Sequence, residues 1–404
     1  MSAWLTIIGI GDDGVEGLTP SARTVLNAAK IVVGSQRILE VAELGDIETH
    51  RWTSPIEDML KQIAAWRGRN VVVLATGDPM HYGVGATLTR FFPPGEMAIL
   101  PAPSAFSLAA ARLGWALQDV EMVSLHGRPA SLIHQFLHPG AKIITLTAGG
   151  ETIEEVAQIL KARGFEDSKL TVLEHMGGPF ERSVLLTACE CGSQDFADFN
   201  TLAIECIAGQ NAKLLPLVPG LPDDAFSHDG QLTKREVRAI TLSALGPAPG
   251  ALLWDVGAGC GSIAIEWMRA ARGARAIAFE QNQSRIKRIA ENSVALGTGG
   301  LEVVAGDVNE TLQGHASPVA IFIGGAVTCN SVFDTCWQAL APGGRLVANA
   351  VTLEGEAALI AHHQAHGGEL VRIDISHVEN IGTRRAFNPR RAVIQWRVTR
   401  DYTS

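Results

Sequence analysis

Positive charge is scarce in this 404-residue chain: 33 lysines and arginines against 42 aspartates and glutamates leave a formal net charge of −9. A nucleic acid or an anionic membrane surface is therefore a poor candidate for the main partner. Long apolar runs are also lacking, and no stretch suffices to cross a bilayer. Met1 to Ile10 runs straight into a glycine turn, which predicts no secretory signal. Cysteines are few and scattered, at 189, 191, 206, 260, 329 and 336, and Cys189-x-Cys191 is too tight for an ordinary zinc knuckle. They read as buried thiols in a reducing, cytoplasmic compartment. The chain offers no defensible Ser/His/Asp or Cys/His set, no nucleotide phosphate loop and no metal site, so no catalytic acid or base is assigned. What it does have is apolar content, 47% hydrophobic against 19% charged residues, which indicates a compact soluble protein. Its length suits two domains.

The stretch 252–280, LLWDVGAGCGSIAIEWMRAARGARAIAFE, organises the rest. Leu252, Leu253 and Trp254 form a short buried strand that ends at Asp255. Gly257, Gly259 and Gly261 follow at every second position, and a helical pattern begins near Ile263. A second apolar strand, Ala276 to Phe279, stops at Glu280. Strand, glycine loop, helix, strand and acid together make a unit for holding a nucleoside, with the acid placed to accept from both ribose hydroxyls. The spacing is G-x-G-x-G with Ser262 next, not the G-x-G-x-x-G of nicotinamide binding. Asp255 would repel a pyrophosphate but suits a cationic ligand, the sulfonium and ammonium of S-adenosylmethionine. These residues resemble the first two motifs of the class I methyltransferases. The resemblance implies cofactor contacts at Gly257, Ala258, Gly259, Cys260, Gly261 and Glu280. It further implies contacts at Asp307, where the adenine amino group is bound, at Gly324, which ends the fourth strand, and at Thr233 near the methionine end. Thr233 with Glu236 also reads as a capping box that begins a helix through Leu245. The Asn/Asp-Pro-Pro-Tyr of many amide- and nucleic-acid methylases is missing, as a carbon nucleophile would permit.

Residues 1–209 alternate strands with helices, which predicts a parallel sheet with function at the strand ends. Trp4 to Ile10 runs into Gly9, Gly11 and Gly14, with Asp12 and Asp13 between. Thr19 and Pro20 start a helix as N-cap and first helical residue. Val71 to Ala75 stops at Thr76-Gly77-Asp78-Pro79, followed by Tyr82 and Gly83, and Met97 to Leu100 leads to Pro101-Ala102-Pro103-Ser104. From Ala141 the pattern restarts, so a second lobe is expected, with the split near 115–140. IGIGDDGVEGLTPSA at 8–22, ATGDPMHYG at 75–83 and PAPS at 101–104 resemble the tetrapyrrole methylases. That family's first loop is usually G-x-G-P-G; here Asp12-Asp13 stand at Pro-Gly. Its later P-G-x-S-S turn lacks the glycine and second serine. The resemblance implies S-adenosylmethionine held between lobes by Gly9, Gly77, Asp78, Pro79, Tyr82 and Ser104, with Tyr82 able to stack on adenine. His81 and His126 are expected to be structural.

Residues 210–227 are rich in proline, glycine and aspartate and read as a linker, with the second domain spanning 228–404. His362 and His366 share a helical face, read as surface at the back of the sheet. Arg384, Arg385, Arg390 and Arg391 fall in an expected hairpin loop. They are either a solvated basic loop or a clamp for a polycarboxylate substrate. The fusion as a whole resembles the decarboxylating precorrin methyltransferases of vitamin B12 synthesis. The expected architecture is α/β: a two-lobed tetrapyrrole methylase fold followed by a Rossmann-like class I methyltransferase domain. The resemblance implies methylation of a precorrin macrocycle at ring carbons 5 and 15, with decarboxylation of the acetate on ring carbon 12. It implies two S-adenosylmethionine molecules per turnover, one site per domain, and a homo-oligomer. The rival readings are a single-site small-molecule methyltransferase with a non-catalytic amino-terminal module, and an RNA methyltransferase, which the net negative charge disfavours.

Overall fold

The computed structural model describes residues 3–192 and 194–402. They form two compact units, one comprising the chain up to Ala130 together with Phe136–Lys213, the other Ser131–Gln135 together with Leu214 onward.

The first unit contains two five-stranded sheets. In the first, Glu48–Arg51, Ile31–Gly34, Val71–Thr76, Leu5–Ile10 and Met97–Leu100 lie side by side in that order, all parallel. Leu5–Ile10 is buried at every position, because apolar clusters cover both of its faces. That explains its predominantly apolar sequence, interrupted only by Thr6 and Gly9. The second sheet begins at Glu121–Ser124 and continues through Lys142–Leu146, Asn200–Glu205, Lys169–Glu174 and Arg182–Thr187. Only its first pair is parallel, so the parallel arrangement expected for this half holds in the first sheet and fails in the second. Three strands escape a hydrophobicity reading, Glu48–Arg51, Glu121–Ser124 and Arg182–Thr187. All are sheet edges with at least half of their side chains exposed.

The second unit is built on a seven-stranded sheet: Glu302–Ala305, Arg275–Glu280, Leu252–Val256, Ala320–Ile323, Arg345–Ala350, Val393–Thr399 and Glu369–Ile373. The first five are parallel, and Val393–Thr399 is antiparallel to both of its neighbours. Leu252–Val256 is fully buried at the centre, and the sheet is Rossmann-like. The arginine-rich stretch is not a loop. Ser376–Ile381 and Arg384–Pro389 pair as a separate two-stranded ribbon, turning through Gly382-Thr383. Gly382 takes φ +59°, the left-handed value that two-residue hairpin turns require. Its strands read as loop because nearly every residue is exposed.

The expected linker is likewise structured from residue 214 onward. Leu221 and Phe226 are buried in the core of the second unit, with Leu215 packed against it. A buried ion pair fastens the segment. Glu266 accepts from Arg238 Nε at 2.5 Å and from the backbone N–H groups of Gly220 at 2.6 Å and Leu221 at 3.1 Å. Arg238 in turn donates to the Leu221 and Thr233 carbonyls and to Asp223. Its guanidinium lies 4.8 Å from the centroid of the Phe226 ring. Both side chains of the pair are essentially inaccessible, at 0% and 2% exposure, so removing one leaves a buried charge uncompensated. Arg238→Ala is expected to cost about 3–5 kcal/mol of stability in the second unit, measured by urea denaturation. A loss below about 1 kcal/mol, the range of an exposed pair, would contradict this account.

Candidate functional site

In the second unit, adjacent parallel strands end at one edge of the sheet, and the expected cofactor residues collect there. Gly257, Gly259 and Gly261 have φ of +75°, +63° and +80°. Gly257 also lies against the loop of the fourth strand, where a Cβ would sit 3.1 Å from the Gly325 nitrogen. The neighbouring strand ties the loop down: Gly257 and Ala258 N–H groups donate to the Phe279 carbonyl at 3.0 and 3.1 Å. Gly324 N–H donates to the Val256 carbonyl at 3.0 Å, and Gly306 N–H to the Glu280 carbonyl at 3.2 Å.

Glu280 is 4% exposed, and its carboxylate accepts from the Gly259 N–H at 2.8 Å and the Asn282 N–H at 2.9 Å. One bond to each oxygen leaves lone pairs for two hydroxyl groups. Asp307 is exposed and caps the short helix Val308–Thr311, accepting from the backbone and side-chain nitrogens of Asn309, both at 2.9 Å. Those bonds hold its carboxyl below the usual range. Cys260 turns its side chain into the core, where burial pushes the thiol up, so only its backbone borders the site.

Thr233 is not the helix cap that its spacing suggests. The helix is Arg235–Leu245 with Lys234 at the cap position and no side-chain cap bond. The Thr233 carbonyl is drawn instead to buried Arg238, which moves the helix start one residue on. The strap before it does reach the glycine loop: a Cβ on Gly259 would lie 3.6 Å from the Gln231 carbonyl. Arg285 fastens the strap, donating to Asp229 at 2.9 Å and to the Gln231 side chain at 2.7 Å, while Arg288 lies 3.3 Å from Asp229. Arg285 and Arg288 carry no motif signal, because their partners are far away in sequence.

Asp255 is 1% exposed. Its Oδ2 accepts from the Ala264 N–H at 3.0 Å, and its Oδ1 has no partner among the described residues. Burial, with a smaller contribution from the Glu280 charge, pushes its carboxyl up to about 7.

The first unit gathers its own set at the ends of three parallel strands. A Cβ on Gly9 would sit 2.3 Å from the Gly77 carbonyl oxygen and 2.7 Å from the Ala102 nitrogen, so three chain segments converge backbone to backbone. Asp78 closes its own turn, accepting from Met80 N–H at 2.8 Å. Pro79 is buried against Gly83 and Gly85, at either of which a Cβ would collide with it. Tyr82 has φ +57° and donates its hydroxyl to the Met122 carbonyl at 3.3 Å. Its ring already packs beside His81 at 5.4 Å and Phe106 at 5.8 Å, under the Arg128 guanidinium at 5.4 Å. His81 stacks on Phe106 at 4.5 Å. Ser104 is 6% exposed and uses its hydroxyl to cap the helix Ala105–Leu113, accepting from Ser107 N–H at 3.2 Å.

The four arginines are not brought into one cluster. Arg384 and Arg385 alternate across the ribbon, and Arg390 pairs with Glu379 at 3.0 Å. His362 stacks on Phe333 at 3.9 Å and on Trp396 at 5.6 Å. No group of three or more metal-ligating side chains occurs among the described residues.

Residues 4–190 match the family described as Tetrapyrrole (Corrin/Porphyrin) Methylases, and residues 224–400 match one described as Precorrin methyltransferase domain. A precorrin-6Y C(5,15)-methyltransferase [decarboxylating] of Sinorhizobium sp is 48% identical over 401 residues, covering 99% of this chain and 97% of that protein. Two shorter relatives come from Salmonella typhimurium. A cobalt-precorrin-7 C(5)-methyltransferase is 32% identical over 180 residues, 44% of this chain and 88% of its own length. A cobalt-precorrin-6B C(15)-methyltransferase (decarboxylating) is 31% identical over 167 residues, 40% of this chain and 85% of its own length.

The Asp255 carboxyl, raised from an unfolded value of 3.8 to about 7, binds its proton more tightly in the folded state. Its contribution to stability is complete below about pH 4 and is lost as pH rises through about 7. Relative to Asp255→Asn, the ligand-free wild type is expected to lose stability on the order of 4 kcal/mol across that window and to level off above it. Denaturation midpoints of both proteins at stepped pH give the test, and a pH-independent difference would contradict it.

Proposed function

Because the chain belongs to the precorrin-6Y C(5,15)-methyltransferase (decarboxylating) family, we propose a division of labour between its two units. The protein methylates precorrin-6Y at carbons 5 and 15 and decarboxylates it in cobalamin biosynthesis. The first unit serves carbon 5. The second serves carbon 15 and loss of the acetate carboxyl from ring carbon 12. The observation that carries this reading is the presence of two separate backbone cradles, Gly9 with Gly77 and Gly257 with Gly325, each at the carboxyl edge of a parallel sheet. Ligands of such sheets bind at that edge. That each activity also exists as a separate relative supports the same division.

Two S-adenosylmethionine molecules are used per turnover, one per unit, each supplying a methyl group on a sulfonium. In the second unit Glu280 takes the ribose, the loop 257–261 and Gly324 line the site, Asp307 borders the adenine, and the strap ending at Thr233 covers the methionine end. Asp255, beneath the loop, is ionised by a cation bound above it. In the first unit Gly9, Gly77, Asp78 and Pro79 shape the cradle, with Tyr82 and Ser104 at its border. The nucleophile is an electron-rich ring carbon, so the chain's work is positioning and exclusion of water, and orientation of this kind is worth roughly 7–11 kcal/mol. Loss of carbon dioxide leaves its electron pair to the conjugated ring. The arginines of the ribbon 376–389 and its flank meet the carboxylate rim of the macrocycle. The enzyme is cytoplasmic and works as a homo-oligomer. All six cysteines are free, and no helix among the described residues is long and apolar enough to cross a membrane.

Glu280→Ala is expected to weaken S-adenosylhomocysteine binding at least about 10-fold at one site, since a hydrogen bond to a charged group is worth about 1.5–3 kcal/mol, and to leave a second site untouched. Calorimetric titration of the full chain reads this, and equal loss at both sites would refute the two-site assignment. Replacing Arg384, Arg385, Arg390 and Arg391 with alanine is expected to raise the tetrapyrrole KM with cofactor affinity unchanged. An unmoved KM would make the ribbon a solvated surface.

A further inference from the structure

Asp12 follows directly on the glycine turn that ends Leu5–Ile10, so its carboxylate belongs to the loop beside the Gly9–Gly77–Ala102 convergence. An aspartate on an open loop would be hydrated, yet this side chain is only 6% exposed. Two groups from different sheets hold it. Arg37 Nη1, on the helix Gln36–Val41 after a strand of the first sheet, donates to Oδ1. His175 Nδ1, directly after the strand Lys169–Glu174 of the second sheet, lies 3.0 Å from Oδ2.

The second sheet grips both partners. The Arg37 guanidinium lies 3.6 Å from the centroid of the Phe199 ring, which His175 meets edge-on at 5.5 Å. His175 N–H also donates to the Phe199 carbonyl at 3.2 Å. His175 is held at φ +48°, in the left-handed region, which is uncommon for a residue other than glycine. The following turn wraps the carboxylate so closely that a Cβ on Gly178 would sit 2.5 Å from Asp12 Oδ2.

We propose that Asp12, Arg37 and His175 form a clasp between the two sheets of the first unit, and that they are positioning residues for cofactor binding at its glycine turn. The clasp acts through the loop it holds. Asp12 fixes where Gly9 and Gly11 sit relative to Gly77, and the His175 turn sets that loop against the second sheet. On this account the acid at the usual Pro-Gly position is a structural replacement, and the site remains competent. The inference rests on the reading that the first unit holds a cofactor site.

The test uses the full chain carrying Glu280→Ala, so that the first unit supplies the remaining tight site, with S-adenosylhomocysteine as probe. Asp12→Asn and His175→Ala are each expected to weaken that site at least about 10-fold, on the scale of one lost hydrogen bond to a charged group. KM for S-adenosylmethionine in carbon-5 methylation should rise in parallel, with kcat changing less. His175→Asn keeps an N–H donor at the Nδ1 position and tolerates a positive φ, so it should restore affinity to within a few-fold. A role limited to stability would lower the melting temperature and the active fraction, hence kcat, with affinity and KM unmoved. That result, or unchanged affinity in both variants, would overturn the clasp. Lost affinity with carbon-5 methylation at its normal KM would uphold the clasp and instead refute the assignment of carbon 5 to this unit.

Discussion

Gly257 against Gly325, and Gly9 against Gly77 and Ala102, approach so closely that one methyl group at Gly257 or Gly9 would press on backbone atoms. The rest of the molecule depends on this constraint. A sheet with parallel neighbours brings several strand ends to one edge, and exposed backbone donors and acceptors there can meet a ligand only if no side chain stands between. The apolar strands Leu5–Ile10 and Leu252–Val256, buried throughout, keep those ends from shifting. Side chains enter as fasteners for the loops: Glu280 for the second unit, Asp12 for the first. The residues that carry charge at these loops therefore hold backbone in place.

The burial of acids follows from the same arrangement. Asp255 lies just before the glycine loop and Glu280 hydrogen-bonds to it from the next strand, and both are almost completely withdrawn from water. Glu280 is compensated by two backbone N–H groups, whereas Asp255 has one and keeps an oxygen with no partner among the described residues. An incompletely satisfied buried carboxyl is costly in an empty site and favourable beside a cation. A positively charged ligand suits this edge for that reason, and a pyrophosphate does not.

Much of this was legible in the sequence. The run 252–280 states its own structure, because a buried strand, alternate glycines and a terminal acid leave few other conformations open. The turns after Gly9 and Thr76 are equally plain. Failures fell where the deciding contact is distant in sequence or where a strand is not buried. Residues 214–227 read as a linker because proline and glycine mask Leu221 and Phe226, whose burial depends on Arg238 and Glu266. The Thr233 capping box was misleading for the same reason, since buried Arg238 claims the Thr233 carbonyl. The arginine stretch read as loop because its ribbon is exposed on both faces. Asp12 looked like a loss of the family turn until Arg37 and His175, 25 and 163 residues away, were found on its carboxylate.

The two halves thus build backbone cradles of the same kind with different sheets and different fasteners. The most direct measurement is a calorimetric titration of the intact wild-type protein with S-adenosylhomocysteine, counting sites per chain. The account predicts two sites, one in each unit. A single site, insensitive to changes at Gly9 and Gly77, would contradict it and reduce the first unit to a module that holds the tetrapyrrole.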